Sequence, residues 1–324
     1  AVAQDRVVAS SPPCCTAWPM VRVATLNVWF SDKLREARTK ALIATIQELS
    51  LDVCCLQEVV PEVAAALVAG LPLWSSSDPG DGSTVAPYGV MMLVAPGVDA
   101  PFSFHDLPTN MCRRLLVTQS LGLAIGTVHL ESLANHRKRG AQLHECRRVL
   151  APFQDAILLG DFNFDSDRNF MAPHSPLDND MLKLIAPEYL DLWPALHAER
   201  GWTFDSTLNP YIGPREHMRY DRVLARLSAW RAVGIDRFGD TCAQRLVALS
   251  EREREHLGRP PTPPRPTARG KMDKAPFDFD VEDAEDPTPP ELGVGFDSPR
   301  SKRIPFLLSD HFGLVATVEL LVET

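Results

Sequence analysis

Asp155-Ala-Ile-Leu-Leu-Gly-Asp161-Phe-Asn163 (DAILLGDFN, residues 155–163) is the stretch on which the reading of the fold turns. Residues 156–159 form a continuous apolar run of strand length, and a carboxylate and an amide follow directly after it. A strand end is a rigid mount from which a polar side chain can face a cleft. The arrangement recurs elsewhere in the chain. Asn27 follows VRVATL, Glu58 follows DVCCLQ and His129 follows LGLAIGTV. Any one of these alone, Asn27 or Asn163 above all, reads as an ordinary cap or turn residue. Four apolar runs that each end in a carboxylate, amide or imidazole ask for a shared explanation. Near the other end of the chain, LLSDHFG (307–313) sets Asp310 and His311 just before a last apolar strand, where a strand-initiating turn is the plain alternative.

Around these ends the sequence alternates short apolar runs with amphipathic stretches. Residues 21–26 read as a strand. Ser31 or Asp32 offers an N-cap to a helix carrying Leu34, Ala37, Ala41, Leu42, Ile46 and Leu49 on one face. Further strands are expected at 52–56, 90–95, 121–128, 156–159, 220–224 and 312–321, and a second helix at 137–150. Many strands with few helices, too sparse for strict βαβ alternation, point to an α/β architecture of two packed sheets with helices outside. No internal repeat is found. Residues 257–303 depart from this texture with clustered prolines and then an acidic block, a composition that cannot bury enough apolar surface to offset its ordering entropy. They are expected to be an irregular insertion interrupting one domain, 21–324, preceded by a flexible tail at 1–20. The Glu/Arg alternation at 250–256 reads as an exposed helical turn before the insertion.

Composition bounds the function. The 324 residues, 45% hydrophobic and 23% charged, exclude disorder throughout and supply a large core. No apolar run approaches the roughly 18 residues of a membrane helix, so no membrane partner is expected. Lys and Arg number 33 against 42 Asp and Glu, a net charge of −9. That argues against indiscriminate nucleic-acid binding, which is mostly cation–phosphate attraction, but leaves room for a local basic groove. Seven cysteines, an odd number with no CxxC pair, suit a reduced intracellular compartment, and Cys54 and Cys55 read as small buried thiols. The opening residues lack the apolar core of a secretory signal, and the absence of an initial Met suggests a processed product or fragment. Carboxylates with neutral amides and no Cys/His cluster match a hard, oxygen-liganded cation such as Mg²⁺, and Mg²⁺ suggests phosphate chemistry.

TLNVWF (25–30), CLQEV (55–59), VHLES (128–132), LGDFN (159–163), RYDRVL (219–224) and LSDHFG (308–313) stand in the order found in the endonuclease/exonuclease/phosphatase superfamily, which the chain resembles over most of residues 21–324. PTNMCRRLLVTQ (108–119), the basic helix after HLES and GWTFDSTLNP (201–210) resemble its tyrosyl-DNA phosphodiesterase 2 branch, and NVWF its plant-type members. The resemblance implies a DNase I-like four-layer α/β-sandwich, with two packed, mostly antiparallel sheets flanked by helices. It implies Mg²⁺, with Mn²⁺ as an alternative, held principally by Glu58 with Asn27 in the same shell and Asp310 near it through water. Asp161 would orient or deprotonate the attacking water and Asn163 would hold it. His311 would donate to the phosphate, charged and oriented by Asp221, whose plain alternative is a strand-edge pairing with Arg222. His129 and Ser132 would add donors to the phosphate oxygens.

The substrate implied is a single-stranded or frayed DNA 5′ end carrying a tyrosyl adduct. Trp202, Phe204, Tyr220 and Arg113 would bind it by stacking and charge. The plain alternative makes Trp202 and Phe204 core aromatics on alternate strand faces and Arg113 part of a surface salt bridge. The implied activity is hydrolysis of the 5′-phosphotyrosyl bond, leaving a 5′-phosphate, as in repair of topoisomerase 2 adducts, with a nuclear or else cytoplasmic location. The competing readings are another phosphodiesterase of the superfamily, a DNA or RNA nuclease or a sphingomyelinase, and a scaffold whose insertion recruits a protein partner. The chain departs from the pattern in its insertion and in showing no ubiquitin-binding or zinc-finger module, which leaves recruitment open rather than chemistry.

Overall fold

A computed structural model of the chain describes residues 20–98, 101–120, 122–166, 177–213, 215–241 and 306–321. The tail expected before Met20, the helical turn expected at 250–256 and the insertion expected at 257–303 lie outside the described residues. In chain order the elements are β1 (Met20–Asn27), α1 (Arg35–Glu48), β2 (Val53–Val59), α2 (Pro61–Gly70), β3 (Ser75–Ser76), β4 (Gly89–Val94), β5 (Phe102–Asp106), β6 (Arg114–Ser120) and β7 (Leu123–His129). There follow α3 (His136–Leu150), β8 (Asp155–Asp161), α4 (Leu177–Ile185), β9 (Leu190–Asp191), α5 (Leu192–Leu196), β10 (Phe204–Asp205), β11 (His217–Met218), β12 (Asp221–Arg226), β13 (Trp230–Phe238) and β14 (Gly313–Leu320).

Two six-stranded sheets result, ordered β13-β14-β1-β2-β4-β3 and β5-β6-β7-β8-β12-β9, with β10 and β11 as a small separate ribbon. Each sheet is antiparallel except for one central pair, β1 with β2 and β7 with β8. Parallel neighbours need a crossover, and α1 and α3 supply it. Val23, Val53, Cys55, Val90 and Met92 of the first sheet pack against Leu116, Ile125, Ile157, Leu159 and Val223 of the second. This is the period-2 alternation of two inner faces. The other face of the second sheet, with Leu115, Ala124, Ala156 and Leu158, is covered by Leu143, Cys146 and Leu150 of α3 and by Leu182 and Ile185 of α4. Because the second sheet occupies its inner face, the first sheet's crossover helix α1 lies outside, burying Ala37, Ala41, Leu42 and Ile46. The two-sheet α/β sandwich is therefore as expected, and Cys54 and Cys55 are buried free thiols, the former held at about 12 by desolvation.

Two local expectations are corrected. The helix expected from Ser31 or Asp32 starts at Arg35 instead. Its preceding residue Leu34 sits at φ 53° with no side-chain cap, because the carbonyls of Trp29, Ser31 and Lys33 accept from the Arg38 side chain rather than continuing a helix. The strand expected at 121–128 begins at Leu123, after Gly122 at φ 79°, a left-handed turn that suits a residue without Cβ.

Candidate active site

The two parallel pairs finish on the same side of the sandwich. In register, Asn27 lies opposite Gln57, one residue before Glu58, and His129 lies opposite Asp161. Antiparallel β12 starts where β8 stops, so Asp221 also lies opposite Asp161. Topology thus converts the ends of β1, β2, β7 and β8 and the start of β12 into one cluster. The Asn27 amide nitrogen donates to Glu58 Oε1 (3.1 Å) and to Asp161 Oδ2 (2.9 Å), spanning 31 and 134 residues of sequence. The turn after β1 completes this part. Trp29 N donates to Asn27 Oδ1 (3.0 Å) and Phe30 N donates to Glu58 Oε2 (3.0 Å). Trp29 and Glu58 both have positive φ, 60° and 59°, a costly conformation for residues other than glycine that recurs where a site is held under constraint.

His311 comes from the segment before β14. Its Nδ1 is 2.8 Å from Asp221 Oδ2, both groups buried, and Arg222 pairs with Asp191 rather than with Asp221. Burial opposes a charge on His311, but the Asp221 carboxylate, helped by Asp161 and Asp310, raises it well above the ordinary imidazole range. His311 is therefore an imidazolium at neutral pH, with Nδ1–H donated to Asp221 and Nε2–H free for another acceptor. His129 is the opposite case. Burial, then the neighbouring Arg113 charge, lower it to about 3. Arg113 donates to His129 Nδ1 (2.9 Å), which leaves the proton of the neutral ring on Nε2, 3.5 Å from Asp161 Oδ2 and 3.9 Å from Glu58 Oε1. Two histidines of one cluster are thus held in different protonation states.

Asp161 is buried, yet lies below its usual range. Burial would raise it, but His129, the His311 charge, the Asn27 amide and the Asn163 backbone N–H overcome that. Glu58 and Asp310 go the other way, raised first by burial, and in Glu58 also by the charge of Asp310. Asn163, at φ 54°, donates one side-chain N–H to the Leu130 carbonyl (2.9 Å) and its backbone N–H to Asp161 Oδ1 (2.8 Å). Asp310 Oδ1 lies 3.1 Å from Ser309 Oγ. Asn27, Glu58, His129, Asp161, Asn163, Asp221, Asp310 and His311 are thereby linked by hydrogen bonds, close contacts and electrostatic attraction into one acidic, donor-rich centre.

The sequence profile of the Endonuclease/Exonuclease/phosphatase family matches residues 24–244, from within β1 to past β13. The chain belongs to that family. No curated protein sequence matches it. Among solved structures the fold is similar to D. rerio TDP2 complexed with single strand DNA product (TM-score 0.62, 17% identity, 93% of this chain and 99% of that chain). It is also similar to C. elegans TDP2 (0.58, 17%, 93% and 75%) and to the human Nocturnin catalytic domain with bound sulfate anion (0.54, 14%, 96% and 100%). Fold and family are those of phosphodiesterase- and nuclease-type enzymes.

In this family member the remaining expected residues divide into two groups. Arg113 is buried and makes no carboxylate pair among the described contacts. It donates to His129 and to Ser132 Oγ (3.0 Å) and lies over the Tyr88 ring, so the surface salt-bridge alternative does not hold. Phe204 is half-buried, 5.1 Å from the His311 ring and 5.5 Å from Tyr220, which itself is 6.1 Å from His311. It lies beside the catalytic candidates rather than in either core cluster. Trp202 stands apart, tilted on His217 at 4.7 Å and bordering a cavity with Arg200, Arg237 and Asp240. Sequence reasoning missed several supports. Glu131, fully buried, accepts from Thr109 Oγ1 and Asn110 N and so holds the turn that carries Arg113. Asn209 donates to the Ser309 and Asp310 carbonyls. A buried Glu inside the motif HLES was the available signal for the first. Nothing local marked the second.

The donor set can be tested against a divalent cation. Glu58 and Asp310 are hard oxygen donors whose burial and mutual repulsion a cation would relieve. Among the described residues no three His, Cys, Asp or Glu side chains converge to close around a metal. Two hard oxygen donors of this kind are compatible with a divalent cation that completes its shell with water and substrate oxygens. In the orientation observed, the Asn27 nitrogen donates to Glu58 and Asp161 while its Oδ1 accepts from Trp29 N.

Proposed function

We propose that this chain is a Mg²⁺-dependent phosphodiesterase that hydrolyses the 5′-phosphotyrosyl bond at a DNA end, leaving a 5′-phosphate. The observation that carries the reading is the charged Asp221–His311 pair set beside a low-lying Asp161, with the half-buried Phe204 ring packed against the imidazole. Glu58 would hold the ion, with Asp310 through water, and the ion would supply charge neutralisation at the phosphoryl oxygens. Asp161, ionised at neutral pH, accepts a proton from the attacking water as its oxygen bonds to phosphorus. Asn163 keeps that carboxylate and the water in register. The P–O bond to the tyrosyl oxygen breaks and the phenolate leaves. Charge gathering on the non-bridging oxygens meets the Nε2–H of His311 and of His129, fixed donors that need no reorganisation as the charge develops. Ser132, bound to Arg113, lies next to that donor set. Phe204 and Tyr220 offer aromatic surface to the terminal base, and Trp202 would meet the strand further out.

The similarity in fold to TDP2 structures, one of them with single strand DNA product, supports the substrate class. Work on chromosomal adducts would put the protein in the nucleus, or else in the cytoplasm for other tyrosyl adducts, and the 257–303 segment would recruit a protein partner. The test is turnover of a 5′-tyrosyl oligonucleotide, an abasic duplex and sphingomyelin, each with Mg²⁺ or EDTA. The proposal expects the first alone to be cut efficiently, and only with metal. Preference for either other substrate would replace it.

A further inference from the structure

Arg38 lies in the middle of the apolar face of α1, between Ala37, Ala41 and Leu42, and is only 3% exposed. A buried guanidinium normally finds a carboxylate. This one makes no ion pair among the described contacts and spends its donors on five backbone carbonyls. Nε donates to Lys33 O (2.9 Å), one terminal nitrogen to Val28 O (2.6 Å) and Leu308 O (3.4 Å), and the other to Trp29 O (3.2 Å) and Ser31 O (2.6 Å). Four of these carbonyls belong to the turn after β1 and the fifth to the segment that carries Asp310 and His311.

Both segments are parts of the active site. The first places the Trp29 N–H on Asn27 and the Phe30 N–H on Glu58, and does so with Trp29 in the left-handed region. A chain held there needs an external constraint, and five acceptors on one rigid fork provide it. The Trp29 ring is packed between the Arg38 guanidinium (5.0 Å) and the Tyr211 ring (5.2 Å), and Tyr211 accepts from Leu307 N, which closes the link to the second segment. Ser309 Oγ adds a direct tie to the Asn27 carbonyl (2.6 Å).

We infer that Arg38 is a positioning residue for catalysis, a clamp that fixes the Asn27–Glu58 side of the site against the Asp310–His311 segment. Its donors are taken up by backbone carbonyls, so it acts through the segments it holds. It sets the orientation of the Glu58 carboxylate through the Phe30 N–H and the depth of His311 through the Leu308 carbonyl. Its charge also faces Asp310 and Glu58, both of which it favours in ionised form. The inference rests on the proposed hydrolytic reading of the site.

Lysine keeps the charge but cannot reach five carbonyls with one ammonium, so Arg38→Lys separates charge from clamp. The comparison is Ile46→Ala, a truncation on the same buried face of α1 whose apolar side chain can hydrogen-bond to neither segment. Three readouts serve: melting temperature, Mn²⁺ affinity of the protein by electron paramagnetic resonance, and kcat and KM on a 5′-tyrosyl oligonucleotide at saturating Mg²⁺. The expected result is a folded Arg38→Lys protein with kcat lowered about 100-fold, KM within about 3-fold of wild type and Mn²⁺ affinity about 10-fold weaker. Ile46→Ala should lower the melting temperature while kcat and Mn²⁺ affinity stay near wild type. Wild-type kcat and Mn²⁺ affinity in Arg38→Lys, an equal loss of both in Ile46→Ala, or an unfolded Arg38→Lys protein would each overturn the positioning role. An inactive wild type would instead count against the hydrolytic reading, and Mn²⁺ affinity would still report on the clamp.

Discussion

Asp221→Asn is the perturbation that separates charge from shape most cleanly, since asparagine can still accept from His311 Nδ1 but carries no charge. The wild-type contact is 2.8 Å and buried on both sides. With charge centres about 4 Å apart and an effective dielectric near 20, the lost attraction is about 4 kcal/mol, or about 3 pK units on the imidazole. The alkaline limb of kcat/KM should therefore move down by about 3 units. Between the two limbs the ratio of wild-type to variant activity should grow about 10-fold per pH unit, and below the lower limb it should level off. Asp161 interacts electrostatically with both Asp221 and His311, so its own titration shifts between the two proteins on the acid side, and the ratio is read on the alkaline side. Stability gives a second check. Since the folded His311 lies above its unfolded value of about 6.5, the pair stabilises fully below that pH and loses its contribution as pH rises through the folded value. The melting-temperature gap between the two proteins should accordingly narrow on the alkaline side. The assay is a pH–rate profile on a 5′-tyrosyl oligonucleotide with parallel thermal melts. A ratio that stays constant across pH, or additive losses in Asp221→Ala, His311→Ala and the double variant, would refute the pairing.

Other substitutions probe separate parts of the account. Phe204→Ala should weaken oligonucleotide binding by about 1–3 kcal/mol, the range for one base–aromatic contact, and leave hydrolysis of a small aryl phosphodiester nearly unchanged; equal losses on both substrates with a fallen melting temperature would return Phe204 to the core. Gly160→Ala would drive a Cβ into the Val128 carbonyl oxygen at a residue with φ 139°. It should cost about 1–3 kcal/mol for overpacking and a similar amount for backbone strain, and a melting temperature within a degree of wild type would show that β7 and β8 are not so closely apposed. Replacing residues 259–300 by a short Gly/Ser linker should preserve activity, because clustered prolines and like charges are not the composition of a core segment; loss of the folded protein would show that they pack.

The strands with unbroken apolar runs were legible, and so were the polar residues at their ends, because burial on both faces leaves a strong signal at β1, β2, β8 and β12. Less was visible at the margins. β5 reads FSFHD and β13 WRAVGIDRF, both only partly buried, so charges and glycine mask their alternation. α2, PEVAAALVAG, has too little polarity to show a face. Within the site, the sequence supplied Asp221 and His311 through their motifs, whereas their contact across 90 residues comes from β12 meeting the segment before β14. Arg38 was overlooked because a cation on an apolar stripe reads as a snorkelling surface residue until its carbonyl partners are seen. The positive φ of Trp29 and Glu58 leaves no trace in composition, as neither is a residue that favours that region.

The most direct test of the central claim is to run the reaction in H₂¹⁸O with Mg²⁺ and a 5′-tyrosyl oligonucleotide, and to weigh both products by mass spectrometry. The account predicts one ¹⁸O on a full-length 5′-phosphate oligonucleotide and unlabelled tyrosine, with turnover strongly reduced in Glu58→Gln and partly regained at high Mg²⁺. Shortened oligonucleotides that keep their tyrosine, or a Glu58→Gln variant with wild-type turnover at low Mg²⁺, would contradict it.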